Sequence, residues 1–222
     1  MRMRRKKHLE ERLEKVSDYL LIADKKAVNV QQALKDKKII DLNCVFGNDN
    51  PIFLDIGAGK GKFVIESALK TPDNNYIGVE MLENIIVSAC EKAQNLGLKN
   101  VKFINSGAEY LQRYFDENSV TQISLNFSPP YPKKSFTNRR LTNERYLKIY
   151  KSLLKKDGIV FQKTDDKDFF EYSLNSFSES GFEVFKLSDE EILKTATTEY
   201  EEKFRGMNMK IYGLKAVLSE KE

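Results

Sequence analysis

The stretch Ile52-Phe-Leu-Asp55-Ile-Gly57-Ala-Gly59-Lys-Gly61 decides the fold of this 222-residue chain. Its apolar start reads as a buried strand over 52–56 that carries Asp55, and three glycines follow at alternate positions. Glycines there let the backbone turn tightly and let a ligand come closer than any Cβ would allow, while the helix that follows offers unpaired N–H groups. A second acid, Glu80, ends the next apolar run 21 residues beyond Gly59, about where a Rossmann-like βαβ unit presents a carboxylate to ribose hydroxyls. The pairing points to a nucleotide-like ligand. Lys62 stands where a dinucleotide fingerprint needs its third glycine, which makes NAD the weaker choice. A phosphate-gripping GxxxxGK[ST] loop fails as well.

Outward from this loop, the hydrophobic pattern predicts strands at 52–56, 76–80, 101–105, 122–127, 158–163, 182–187 and 209–218. Helices are expected near 9–23, where Leu9, Leu13, Val16 and Leu20 recur at three- and four-residue intervals, and near 61–70, 83–96, 107–115, 139–155 and 167–180. Strands alternating with helices imply right-handed crossovers and a largely parallel sheet with helices on both faces, closed by a terminal hairpin that makes one edge mixed. The expected fold class is α/β, Rossmann-like, with seven strands. With 41% hydrophobic residues the chain can bury one sizeable core. We expect a basic N-terminal arm and helix over 1–24 and one domain over 25–222.

Charge narrows the partners. Between Lys133 and Lys156 there are nine Lys or Arg against one acid, Glu144, and residues 1–8 form a second basic cluster. Two such clusters beside a ligand-binding domain favour a polyanionic substrate, with affinity that falls steeply with salt, over merely solvated faces. His8, the only histidine, sits in the basic arm, so a zinc site or a Ser-His-Asp triad is excluded and no metal is expected. Cys44 and Cys90 lie in apolar surroundings without metal-ligand spacing, which reads as two buried thiols in a reducing cytoplasm. No apolar run approaches the roughly 20 residues of a membrane span.

In an open α/β sheet the ligand lies beyond the carboxyl ends of the central strands, so the loops after each strand carry the candidates. These are Gly57, Gly59 and Gly61; Glu80 and Met81; Gly107 and Ala108; and Asn126 with the following Phe127-Ser-Pro129-Pro-Tyr131-Pro-Lys133-Lys134. Three prolines make that last loop a rigid ledge, with the Tyr131 ring free to stack on a base and lysines behind it for phosphate.

The Asp-x-Gly-x-Gly-x-Gly pattern resembles the first motif of S-adenosylmethionine-dependent methyltransferases. More selectively, seven blocks together are similar to the bacterial tRNA (guanine-N7-)-methyltransferase family. They are Asp55-Ile-Gly-x-Gly-Lys-Gly, Gly78-Val-Glu80, Asn126-Phe-Ser-x-Pro-x-Pro-Lys-Lys134, Arg139-Arg-Leu-Thr142, Lys163-Thr-Asp165, Phe170-Glu-Tyr-Ser173 and Thr198-Glu-Tyr-Glu-Glu-Lys-Phe204. The resemblance spans nearly the whole chain, down to an Arg2-Met-Arg that looks like the family's basic arm. It implies the Rossmann-like methyltransferase fold, S-adenosylmethionine as methyl donor, S-adenosylhomocysteine as product, and tRNA as substrate, methylated at a guanine of the variable region, position 46. It assigns Asp55 and Glu80 to the cofactor, and Lys133, Asp165 and the block Thr198, Glu199, Tyr200, Glu201 to the tRNA guanine. Arg139 and Arg140 become candidate phosphate contacts. Monomer and homodimer both remain open.

Two departures matter. Gly107 stands where the family carries an acid before the alanine, so a contact to the adenine amine would fall to backbone. Pro129 replaces the family's catalytic Asp, and Tyr131 its Trp. Guanine N7 has a free lone pair and no proton, so methyl transfer needs alignment and charge stabilisation rather than a general base. A lost carboxylate would cost on the order of tenfold to a thousandfold, and Asp165, Glu199 or Glu201 could replace part of it. Ser128-Pro129-Pro130-Tyr131 also resembles the motif of amino-methyltransferases acting on adenine N6 or cytosine N4, where a flipped base stacks on the aromatic ring. A tRNA-binding protein without catalysis is the third reading. Asp165 or Asp166 could instead cap the helix after it, and Phe169, Phe170, Tyr172 and Phe177 read as core-facing.

Overall fold

The structure, a computed structural model, describes residues 6–22 and 29–218. In chain order its helices are α1 (Leu9–Lys15), α2 (Val30–Lys35), α3 (Leu42–Phe46), α4 (Lys62–Lys70), α5 (Glu83–Asn95), α6 (Glu144–Leu153), α7 (Lys167–Glu179), α8 (Asp189–Lys194) and α9 (Glu199–Gly206). Its strands are β1 (Leu20–Ile22), β2 (Ile52–Ile56), β3 (Asn75–Val79), β4 (Val101–Ile104), β5 (Val120–Asn126), β6 (Leu154–Thr164), β7 (Phe182–Lys186) and β8 (Tyr212–Leu218), with short 3₁₀ helices at Ala108–Arg113 and Lys134–Arg139.

The sheet order is β1-β4-β3-β2-β5-β6-β8-β7. All pairs are parallel except β6 with β8 and β8 with β7. Side-chain alternation sorts the core onto two faces. Ile52, Leu54 and Ile56 of β2 join Ile77, Val79, Ile123 and Leu125 in a cluster with Tyr146 and Tyr150 of α6 and Phe177 of α7. On the other face, Tyr76, Val101 and Phe103 pack with Val64 and Ile65 of α4, with Ile86, Ala89 and Cys90 of α5, and with Leu9, Leu13 and Val16. The order reverses between β3-β2 and β5-β6, which opens a crevice at the carboxyl ends of β2 and β5.

Among the described residues there are eight strands rather than the seven expected. The helix expected over 9–23 stops at Lys15, and Leu20–Ile22 adds to the sheet edge, with Phe103 N–H donating to the Tyr19 carbonyl at 2.7 Å. Leu9, Leu13, Val16 and Leu20 are buried as their spacing implies, but a three-residue strand has no period to betray it. The helix expected over 139–155 is interrupted: a 3₁₀ turn ends at Arg139, Asn143 caps α6 by accepting from Arg145 N–H, and β6 starts at once with Leu154. In place of the helix expected over 107–115 there is a 3₁₀ helix at Ala108–Arg113, and the acidic connection between β7 and β8 holds α8 and α9. Cys90 is buried, its thiol pushed up to about 12 by desolvation, whereas Cys44 is exposed on α3, a five-residue helix with no buried residue.

The expected boundary at 24 falls outside the described residues, as does most of the 1–8 cluster. What is described of the N-terminal segment lies along α5: Arg12 makes two 2.6 Å hydrogen bonds to the Glu91 carboxylate, and Lys6 N–H donates to Asn84 Oδ1 at 2.9 Å. No helix among the described residues is long and apolar enough to cross a membrane, and no group of three or more His, Cys, Asp or Glu among them could hold a metal ion.

Candidate active site

At the carboxyl ends of β2, β3 and β5 lies a cavity of about 570 Å³. Its first wall is the glycine loop. Gly57 and Ala58 N–H donate to the Val79 carbonyl at 2.8 and 3.0 Å, folding the loop back over β3. Gly57 and Gly59 take φ of +82° and +56°; a Cβ built on Gly57 meets nothing within 4 Å, and one on Gly59 only the Gly57 carbonyl at 4.0 Å. The backbone is therefore bare toward the cavity. Glu80 is fixed across this loop: its carboxylate accepts from Gly59 N–H at 3.2 Å and Leu82 N–H at 2.9 Å, and Asn105 Nδ2 holds its carbonyl at 2.8 Å. Asp55 is buried beneath, accepting from Asn126 Nδ2 at 3.0 Å, and desolvation pushes its carboxyl up to about 7 against the opposing pull of Asn126 and Lys163.

The second wall follows β5. Phe127 takes φ of +50° and Tyr131 +43°, a region that costs an aromatic residue of order 1–3 kcal/mol. Ser128 Oγ is buried with no hydrogen-bond partner among the described residues. Phe127 lies against Tyr200 and Phe204 of α9, with ring centroids 6.5 and 5.7 Å away. Arg140 clamps the loop from behind: Nε donates to the Pro130 carbonyl at 2.8 Å and a terminal nitrogen to that of Tyr131 at 3.2 Å, while its guanidinium covers the Tyr172 ring at 4.3 Å.

Of the residues singled out from sequence, Asp55, Gly57, Gly59, Glu80, Met81, Gly107, Ala108, Asn126, Pro129, Arg139, Thr198, Glu199 and Tyr200 line this cavity, along with Tyr131. Five do not line it, each for a physical reason. Gly61 caps α4 at φ +77°, and a Cβ there would come 2.8 Å from Ala89 Cβ, so this glycine serves helix packing. Arg140 is committed to the loop carbonyls. Lys133 is exposed at the start of the 3₁₀ turn. Asp165 is half-buried with no hydrogen-bond or ion-pair partner among the described residues, and it is Asp166 that caps α7, accepting from Phe169 N–H at 2.7 Å. Glu201 is 0% exposed: its carboxylate pairs with Lys163 Nζ at 2.6 Å, which also donates to Thr195 Oγ1 and the Ala196 carbonyl, and with Arg205 at 2.9 Å. Burial drives the Lys163 amine down and the Glu201 pair opposes it. Glu199 and Glu202 behave as surface acids, paired with Lys92 and Lys62. Phe169, Phe170 and Phe177 are buried; Tyr172 is half-buried beneath Arg140.

Sequence reasoning passed over Arg145, Tyr146 and Glu109, which also line the cavity. Arg145 and Tyr146 belong to α6, whose start it placed too early. Glu109 is the residue after Ala108, where a 3₁₀ turn rather than an α-helix sets its direction.

The family profile described as "Putative methyltransferase" matches residues 49–214. The tRNA (guanine-N(7)-)-methyltransferase of Listeria monocytogenes is 45% identical over 176 residues, 78% of this chain and 82% of that one. That of Bacillus subtilis is 42% identical over 174 residues, 77% and 82% of the two chains. Among solved structures, a SAM-dependent methyltransferase from Aquifex aeolicus shares the fold at a TM-score of 0.55 with 15% identity, over 86% of this chain and 100% of that one. The 16S rRNA methyltransferase KamB does so at 0.57 with 14% identity, over 89% and 96%. By its sequence relatives the chain belongs to the tRNA (guanine-N7-)-methyltransferase family.

Proposed function

We propose that the cavity binds S-adenosylmethionine and that the protein transfers its methyl group to N7 of a guanine in the variable region of tRNA, at position 46, leaving S-adenosylhomocysteine. The observation that carries this is the cavity's two unlike walls: bare glycine backbone with the braced Glu80 carboxylate on one side, and a proline ledge with the aromatic rings of Tyr131 and Tyr200 on the other. The residues present fit such a cofactor. A Cβ at Gly57 or Gly59 would fill space a ligand needs, and Glu80 is held ready to accept from ribose hydroxyls.

When bound, the cofactor supplies an electrophilic methyl on a sulfonium. The chain's task is to place an N7 lone pair in line with it and to keep water out. Asp55, Gly57, Gly59, Glu80, Met81, Gly107, Ala108 and Asn126 form the cofactor side, with Gly61 acting through the seating of α4. Thr198, Glu199 and Tyr200 frame the base, with Tyr200, 59% exposed, offering its ring for stacking. Arg139 at the cavity and Lys133 beyond it meet phosphates, and the unpaired Asp165 faces the tRNA from the end of β6. Glu201 acts indirectly, by holding Lys163 and with it the wall. No general base is required, which is why Pro129 in place of an Asp is compatible with turnover.

The test is incubation with unmodified tRNA and methyl-labelled S-adenosylmethionine, followed by nucleoside analysis. Label in 7-methylguanosine is expected, mapping to position 46 when the labelled tRNA is cut into oligonucleotides, with Pro129→Asp raising the rate and Asp165→Ala lowering it. Label in N6-methyladenosine or N4-methylcytidine would instead favour the Ser-Pro-Pro-Tyr chemistry, and no label despite cofactor binding would leave a tRNA-binding role.

A further inference from the structure

The loop after β4 holds a carboxylate that nothing above employs. Glu109 lines the cavity, is half-buried, and has no hydrogen-bond or ion-pair partner among the described residues. It folds back over Gly107: a Cβ built there would lie 2.6 Å from Glu109 Oε2, 2.9 Å from Cδ and 3.1 Å from Oε1. Gly107 has φ −88° and ψ 158°, a conformation open to any residue, so the backbone does not demand glycine. What fills the side-chain space of residue 107 is the carboxylate of residue 109.

An ionised carboxylate only accepts hydrogen bonds, and one left unpaired in a cavity calls for a donor from the ligand. Met81, Leu82, Ile85 and Ala108 supply apolar surface to the same cavity. β4 lies one strand farther from the order reversal than β3, whose end carries Glu80. A flat apolar ring bearing an amine, attached to a ribose held at Glu80, matches these features together.

Resting on the cofactor reading above, we infer that Glu109 accepts a hydrogen bond from the exocyclic amine of the cofactor's adenine and so sets the preference for a 6-aminopurine. A carbonyl at that ring position would meet the carboxylate lone pairs head-on. The adenine contact then belongs to a side chain, not to the Gly107 backbone.

Calorimetric titration with S-adenosylhomocysteine and with S-inosylhomocysteine, which carries a carbonyl in place of the amine, tests this. Wild type is expected to prefer the adenosyl compound by about tenfold to a hundredfold, the range of a hydrogen bond to a charged group. Glu109→Ala should lose most of that preference while its affinity for the inosyl compound holds. Gly107→Asp combined with Glu109→Ala, which returns an acid to the vacated space, should recover part of it. An unchanged preference in Glu109→Ala, or a wild type that binds both compounds equally, would overturn the role of Glu109 and leave the cofactor reading intact. A wild type that binds neither would overturn the cofactor reading itself.

Discussion

At the glycine-loop end of the cavity, Glu80 accepts from two backbone N–H groups, Asn126 reaches Asp55, and the glycines occupy the positive-φ positions that only they hold without strain. At the Pro-Pro-Tyr end, two aromatic residues sit at positive φ, Ser128 Oγ has no partner among the described residues, Tyr200 is largely exposed, and Arg140 restrains the loop from outside. The first end is finished before any ligand arrives, as suits a small molecule of constant shape. Strain and an unspent polar atom remain at the second, which suits a surface completed by a large substrate. Substitutions at the two ends should therefore differ in kind.

The largest effect is expected beneath the second end. Lys163, 4% exposed, is bound to the fully buried Glu201, and its carbonyl accepts from Phe127 N–H at 2.8 Å. Lys163→Met strands a buried carboxylate with Arg205 alone and should cost about 3–5 kcal/mol in urea unfolding. Adding Glu201→Leu should recover most of that, because an apolar pair replaces the ionic one. A single variant as stable as wild type would show that the second wall does not lean on this pair.

Asp55 supplies the next effect, at the first end. Its folded-state carboxyl is raised to about 7 from an ordinary value of 3.8, chiefly by burial. A raised acid favours the protonated folded form, so its contribution is fully present below the unfolded value and is lost as pH rises through about 7. Asp55→Asn should abolish that decline and, at pH 8, exceed wild type by on the order of a few kcal/mol, while weakening cofactor binding. Equal pH slopes in chemical denaturation of the two proteins would contradict a strained carboxylate here.

Much of the first end is legible in the sequence because its signals are local: a five-residue apolar strand, glycines at alternate positions, and an acid at the next strand's end. The second end is assembled from residues far apart in sequence, and no spacing announces that. The resemblance assigns Glu201 to the tRNA guanine, yet α9 turns it onto Lys163, 38 positions earlier. Arg140 reads as one cation in a basic run, yet it is the clamp. The short elements β1, α2, α3, α8 and α9 span three to eight residues, too few for a 3.6 or 2.0 period to separate from chance. Glu109 carries no sequence signal, because its meaning lies in the space it fills over Gly107.

A pair of glycine variants sharpens the contrast within the first end. Gly61→Ala combines φ +77° with a Cβ 2.8 Å from that of Ala89, so α4 must move off α5. We expect a loss of about 2–3 kcal/mol, the upper part of the range for such strain. Gly59→Ala meets only open space at φ +56° and should cost about 1 kcal/mol of stability, yet it should weaken cofactor binding more. Melting curves and calorimetry together separate packing from ligand approach; equal losses of both quantities in the two variants would erase the distinction.

The smallest stability effect and the most selective functional one belong to Arg140. Its guanidinium is half-buried against Tyr172 and Phe169, and it donates to the carbonyls of Pro130 and Tyr131. Arg140→Ala leaves the sheet and the glycine loop untouched, so the melting temperature should fall by only a few degrees and cofactor affinity should stay at the wild-type value. The ledge, however, is no longer held in its strained conformation, and without the clamp Tyr131 can relax to negative φ. Turnover on tRNA should drop about tenfold, the scale of losing one or two charge-assisted hydrogen bonds that position a reacting group. Arg140→Lys can still reach one carbonyl but cannot fork to two or stack its plane on Tyr172, so it should recover only part of the rate. Were Arg140 a phosphate contact instead, lysine would restore binding and the loss would fade at low salt, whereas a clamp shows the same deficit at every ionic strength.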